Sequence, residues 1–463
     1  MVPTDPRTKA TASIMSDNDH IIEPHTSTLH TRREFLRTSM LGAAAAFSVP
    51  VFLQNTFFTL DAMAADSAIQ TATGKDASIL IVLQLAGGND GMNTVIPYAD
   101  DAYYRARPVI GIPRGKVIPL NDYAGLNPGL AGLKGLYDEG HLSVLQGVGY
   151  PNPNRSHFRS TEIWQTASDA DKLEPYGWLG RYFDSCCKGA DPTVGVAIGN
   201  QVPQSFASAE PTGVSFSRPE QYRWLNGDKR GDSEQVYREM NQPEMDPATL
   251  DANDGGSVDT LPGETPVSHR ESTLEFLQRT AMDAQMSSDK IIEIAKKFPA
   301  SISYPHTALG DSLSLVGRMI AGGLATRVYY VSQGGYDTHT NQIATHARLM
   351  GDLNDALVAF AQDMKAQGNF GRVMLMTFSE FGRRVTQNAS NGTDHGAAAP
   401  MFIMGGGVKA GLFGKYPSLS ALNAGDLAYN VDFRSVYATI LDRWLRAPSK
   451  EVLGRQFPLL NLV

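Results

Sequence analysis

Six short runs of the chain are almost continuously apolar and rich in β-branched or aromatic residues: 79–85, 142–148, 193–198, 326–331, 372–378 and 400–404. Runs of this length without polar alternation predict strands covered on both faces. Between them, stretches with apolar residues every three or four positions, at 311–325, 342–367 and 432–444, predict helices. Strands alternating with helices predict an α/β fold, an α/β/α sandwich with a mainly parallel central sheet. The rhythm breaks at about 205–270, which is polar, rich in Asp, Glu, Gly and Pro, and carries turns at Gly255-Gly256 and Pro262-Gly263. It reads as an insertion over the surface of a single domain and a candidate cap.

The N-terminal segment follows a different pattern. Thr31 to Arg37 contains the pair Arg32-Arg33, then a modest apolar stretch from Met40 to Leu53, then Ala62-Met63-Ala64. This is the layout of a twin-arginine signal peptide with a small–x–small cleavage site. It predicts a leader over 1–64 cleaved near Ala64, a polar linker over 65–77 and the folded domain over 78–463. The apolar stretch falls short of the ~20 residues that cross a bilayer. The expected location is therefore periplasmic or secreted, with the twin-arginine export machinery as a partner and no membrane span in the mature form. The two cysteines, Cys186 and Cys187, are adjacent. Bridging neighbours strains the backbone, so they read as unpaired thiols on a helix.

The candidate chemistry lies just beyond the predicted strands. Gly334 to His339 (GGYDTH) carries Asp337 and His339, whose spacing lets both side chains face one way from an extended turn. Gly392 to Gly396 (GTDHG) carries Asp394 and His395 between glycines. Asp337, His339 and His395 form a three-ligand set with open positions, the catalytic type of metal site. Asp394 either binds directly or orients His395. Glu380 follows the 372–378 run at once and joins the candidate ligands; the alternative is an acid at a helix start. Asp90 in Gly87 to Gly91 (GGNDG) is either a ligand or simple turn chemistry. Beyond the second run, Ser156 is a candidate nucleophile near a helix N-terminus, with His157 as ligand or proton shuttle. Arg155, Arg383 and Arg384 are candidates for holding a phosphate or sulfate group.

The 463-residue chain is 42% hydrophobic and 19% charged, with a formal net charge of −8. No basic tract interleaves with aromatics, which argues against nucleic-acid binding.

Together, the leader, residues 84–94 (QLAGGNDGMNT), Arg155 to Phe158, Gly335 to His339, Phe378 to Arg383 and Gly392 to Gly396 resemble the DUF1501 proteins. These are exported bacterial proteins of uncharacterised function, similar in fold to the alkaline phosphatase and sulfatase superfamily. The resemblance runs from residue 78 to the C-terminus. By order, it implies Asp90 as an early metal ligand, Ser156 as nucleophile, Asp337 and His339 as a middle pair and His395 as a late ligand. Phe381 falls where the resemblance implies a His; alternatively, Asp394-His395 is that Asp-His pair and the late His is missing. The function implied is an exported metal-dependent hydrolase of phosphate or sulfate esters. Its substrate would be an anionic small molecule or polymer. Its cofactor would be a divalent metal, zinc first, with manganese, iron or calcium as alternatives. The second reading is a non-catalytic periplasmic binding or assembly protein on the same fold.

Overall fold

The computed structural model describes residues 77–187, 190–209, 213–218 and 289–463. The leader, the cleavage site, most of the linker and the turns at Gly255 and Pro262 lie outside the described residues. In chain order the strands are β1 (Ile79–Leu85), β2 (Val95–Ile96), β3 (Ile118–Pro119), β4 (Gly125–Leu126), β5 (Leu142–Gly149), β6 (Gly195–Ile198), β7 (Val214–Phe216), β8 (Val328–Gln333), β9 (Val373–Phe378), β10 (Ala399–Gly405), β11 (Gly411–Phe413) and β12 (Val431–Asp432). β2, β3 and β4 form a small antiparallel sheet. Among the described residues the others form a nine-stranded sheet in the order β11-β5-β10-β9-β1-β8-β6-β7, with β12 also on β5.

All six apolar runs lie in this sheet, and the reason is its two covered faces. In β1, Ile79, Ile81, Leu83 and Leu85 enter one core, with Leu313 and Val316 of the Ala308–Ala321 helix and Leu353, Leu357 and Phe360 of the Gln342–Ala366 helix. The alternate residues Leu80 and Val82 enter a second core, with Trp178 and Tyr182 of the Trp178–Cys186 helix and Val436 and Tyr437 of the Phe433–Thr439 helix. β9 divides the same way, Val373 and Leu375 to the first core and Met374, Met376 and Phe378 to the second. Full burial of one such side chain stabilises the fold by roughly 1.5–3 kcal/mol, so neither face tolerates polar alternation. The architecture is the expected mixed, mainly parallel sheet between helical layers.

β10 departs from the parallel pattern. It runs antiparallel to both β9 and β5, while β9, β1, β8, β6 and β7 are mutually parallel. β7 comes from the stretch read as an insertion and adds an edge strand parallel to β6.

Cys186 ends its helix and Cys187 caps it. Both are free thiols, and burial raises their pKa, that of Cys187 to about 11. Among the described residues no helix is long and apolar enough to cross a membrane.

Candidate metal centre

Five turns meet at one rim of the sheet. β1, β5, β8 and β9 all point their C-terminal ends there, and open α/β sheets bind ligands beyond those ends. They deliver Gly87–Asp90, Asn154–His157, Gly334–His339 and Ser379–Arg383. The fifth turn, Gly392–Gly396, precedes β10, and it reaches the same rim because β10 is reversed.

One ligand atom from each of His157, Asp337 and His395 lies within 4.8 Å of the other two. His395 Nδ1 is 2.8 Å from the carbonyl oxygen of Arg155, which can only accept, so Nδ1 carries the proton. The lone pair of neutral His395 is therefore on Nε2, 3.3 Å from Asp337 Oδ1. His157 behaves alike. Its Nδ1 is 2.9 Å from Glu380 Oε1, an oxygen that also accepts the Gly87 N–H at 2.8 Å. That leaves His157 Nε2, 3.4 Å from Asp337 Oδ2, to present its lone pair. Two imidazole lone pairs and a carboxylate facing one small volume repel one another unless a cation or protons lie between them. Imidazoles held by a carbonyl and a carboxylate on their far nitrogens match the usual support of metal-bound histidines. The residues present fit a divalent metal with nitrogen and oxygen ligands.

His339 adjoins this group. Its Nε2 lies 2.9 Å from His395 Nε2 and 3.1 Å from Asp337 Oδ1, and its Nδ1 is 3.4 Å from Asp394 Oδ1. Burial alone raises the Asp337 pKa, but the hydrogen bond and charge of Arg383 outweigh it and hold the carboxyl at about 2. Desolvation lowers the His395 pKa and favours the neutral, metal-binding form. Asp394 is exposed, and a hydrogen bond from Asn388 (3.1 Å) is the main cause of its lowered pKa.

The other candidates are spread around the centre. Glu380 is buried and holds His157 from behind, at one remove from the converging atoms. Arg383, 1% exposed, donates to Gly88 O (2.6 Å), Thr393 O (2.8 Å), Tyr336 O (3.1 Å), Asp337 Oδ1 (2.8 Å) and Gly87 O. One guanidinium thus ties three rim turns together and faces inward. Asp90 is apart from the centre. It is fully buried, 2.6 Å from Arg107 Nη1, and also accepts from Gln342. Burial pushes its pKa up, but Arg107 reverses the shift and keeps it low. Ser156 is exposed at the N-cap of the His157–Thr166 helix, and its hydroxyl makes no capping bond. It sits between Arg155, whose carbonyl holds His395, and His157.

Phe381 forms the floor. Its ring centroid is 4.3 Å from that of His395 and 4.9 Å from that of His157. It lies so close to the β1 turn that a Cβ on Gly88, at φ +77°, would stand 2.2 Å from its ring. Glycine is needed at Gly88 for both reasons. Sequence reasoning missed Arg107, and with it Asp426, a buried carboxylate that pairs with Arg155. Neither lies in a motif; both act through partners remote in sequence.

Residues 148–460, more than half of the chain, match a family described as "Protein of unknown function (DUF1501)". The chain belongs to the DUF1501 family. The matched range contains all of the converging residues and begins after Asp90. No curated protein sequence matches this DUF1501 chain. Among solved structures it is similar to the PsFucS1 sulfatase from Pseudoalteromonas sp., at 11% identity, covering 89% of this chain and 74% of that one, with a TM-score of 0.34. It is similar to a protein in the alkaline phosphatase superfamily from Vibrio parahaemolyticus at 9% identity, with 81% and 73% covered and a TM-score of 0.32. The C-terminal periplasmic domain of EcEptC from Escherichia coli, in complex with zinc, matches at 10% identity, with 73% and 75% covered and a TM-score of 0.31.

Proposed function

We propose that this chain is an exported, metal-dependent hydrolase of phosphate or sulfate esters. The observation that carries the reading is the convergence of His157 Nε2, His395 Nε2 and the Asp337 carboxylate beside an uncapped, exposed serine. A bound divalent metal polarises an ester oxygen and lowers the pKa of a coordinated hydroxyl. Imidazole-rich ligation favours zinc over calcium, which prefers an all-oxygen shell. Glu380 and the Arg155 carbonyl fix the tautomers of His157 and His395. Arg383 holds Asp337 ionised and in place.

Ser156 Oγ attacks phosphorus or sulfur, its proton leaves to solvent or a neighbouring base, and the ester oxygen departs with the alcohol. Water then attacks the serine ester, releasing inorganic phosphate or sulfate and restoring the hydroxyl. The dipole of the His157–Thr166 helix, with Ser156 at its N-cap, favours the developing negative charge. Positioning and charge stabilisation supply most of the catalysis in such transfers. The substrate is an anionic small molecule or polymer met outside the cytoplasm, where the twin-arginine leader directs the chain.

The test combines elemental analysis of the mature protein with a screen of aryl phosphates and sulfates. Bound metal with turnover that is lost in Asp337→Ala and His395→Ala supports the reading. Full-rate cleavage by a variant carrying both changes would sink it. A second reading, a periplasmic binding or assembly protein without turnover, is favoured by one feature: Phe381 fills the floor where a further ligand would stand. Metal-loaded protein that binds phosphate and cleaves no ester supports that reading.

A further inference from the structure

A buried carboxylate outside the metal centre holds two arginines at its edge. Asp426 is 1% exposed, in a tight turn closed by reciprocal backbone bonds with Asn423, at 2.9 and 3.0 Å. Arg155 donates to Asp426 Oδ2 through Nε at 2.8 Å and through Nη2 as well. Arg384 Nε stands 3.7 Å from Asp426 Oδ1, and that oxygen is buried with no hydrogen-bond partner. Both arginine side chains remain more than a third exposed. Among the described residues, no hydrogen bond occupies Arg155 Nη1 or either terminal nitrogen of Arg384.

The backbones of the same two arginines flank His395. The Arg155 carbonyl accepts from His395 Nδ1, and the Arg384 N–H donates to the Asp394 carbonyl at 3.0 Å. The pair is therefore fixed next to the centre at both ends, by main chain on one side and by Asp426 on the other. Two guanidinium groups face one buried carboxylate, and the charge of Arg384 also acts on Asp394. The exposed Asp394 carboxylate is the other acid at this edge, and it is engaged by Asn388 and His339. Free, preoriented guanidinium donors suit the oxygens of a tetrahedral oxyanion.

We propose that Asp426 is a positioning residue that holds Arg155 and Arg384 as a paired subsite for the non-bridging oxygens of a phosphate or sulfate group. This deepens the hydrolase reading and rests on it for the identity of the oxyanion. It also explains why Arg383, the third candidate arginine, does not join the subsite, since its donors are consumed inside the rim.

The test is calorimetric titration of inorganic phosphate and inorganic sulfate into the mature protein, with metal content measured on the same samples. Asp426→Asn is expected to keep wild-type metal stoichiometry and lose at least tenfold in phosphate affinity. Arg155→Met combined with Arg384→Met is expected to lose as much, and Asp426→Glu to recover part of it. If Asp426→Asn melts early, the double arginine variant, which leaves the carboxylate in place, decides the matter instead. Phosphate and sulfate affinities within twofold of wild type in both variants overturn the proposal. Wild-type protein that takes up no metal on reloading and cleaves no ester, yet binds phosphate and loses it in the double variant, overturns the hydrolase reading while upholding the subsite.

Discussion

His395 Nδ1 lies 2.8 Å from the carbonyl oxygen of Arg155, and this bond decides which ring nitrogen faces Asp337. Because a carbonyl cannot donate, the proton is on Nδ1 and the lone pair is on Nε2. Glu380 does the same for His157 from the opposite side. The centre is thus oriented by groups outside the converging ligand set, one a main-chain carbonyl and one a buried carboxylate.

Removal of either imidazole should lower metal content more than removal of its support. We expect His157→Ala and His395→Ala to lose bound metal after dialysis. Glu380→Gln should retain the fold but weaken metal affinity about 10- to 100-fold. Competition with a chelating dye, followed by elemental analysis, measures both. Equal affinity in Glu380→Gln and wild type contradicts the orienting role.

Asp90 and Arg107 form a fully buried pair at 2.6 Å. Breaking such a pair leaves one uncompensated charge, at a cost of roughly 3–5 kcal/mol. Arg107→Met should therefore lower the urea midpoint sharply. Asp90→Asn should leave the metal stoichiometry of the folded fraction unchanged, because Asp90 lies outside the converging group. A halved metal content in Asp90→Asn contradicts that placement.

His346 is fully buried beside Asn89, and desolvation lowers its pKa from 6.5 to about 4. The folded state thus favours the neutral ring. Above pH 6.5 the ring is neutral in both folded and unfolded chains, and its contribution to stability is fully present. Between pH 6.5 and about 4 the unfolded chain takes up a proton that the folded chain refuses, so stability falls; below about 4 the loss levels off. His395, also lowered, acts in the same direction. Comparing wild type with His346→Gln isolates the first contribution, and denaturation midpoints across this window should fall less steeply in the variant.

Gly88 has φ +77° and faces the Phe381 ring at a distance no Cβ tolerates. Gly88→Ala should cost about 1–3 kcal/mol from the backbone alone, and it should shift the ring that floors the two histidines. Adding Phe381→Ala should relieve the clash but not the backbone strain. A melting temperature for Gly88→Ala equal to wild type contradicts this account.

The apolar runs located six of the nine strands of the main sheet among the described residues, because strands such as β1 and β9 send alternate side chains into two cores and leave few positions for polar residues. That Asp337 and His395 come together was likewise expected, since both lie in glycine-containing turns next to strands of the main sheet. Strand direction was not legible. An apolar run reads the same in either sense, and only pairing with β9 and β5 reverses β10 and brings His395 to the rim. Nor did local spacing separate a ligand from its neighbour. Asp90 and Asp337 both end glycine turns, yet Arg107 neutralises one while the other faces two imidazoles. Glu380 and Arg383 turn inward and His157 turns toward the centre, for reasons that lie in partners far along the chain. Such electrostatic pairings act over a few ångströms of space, so only the folded chain decides them.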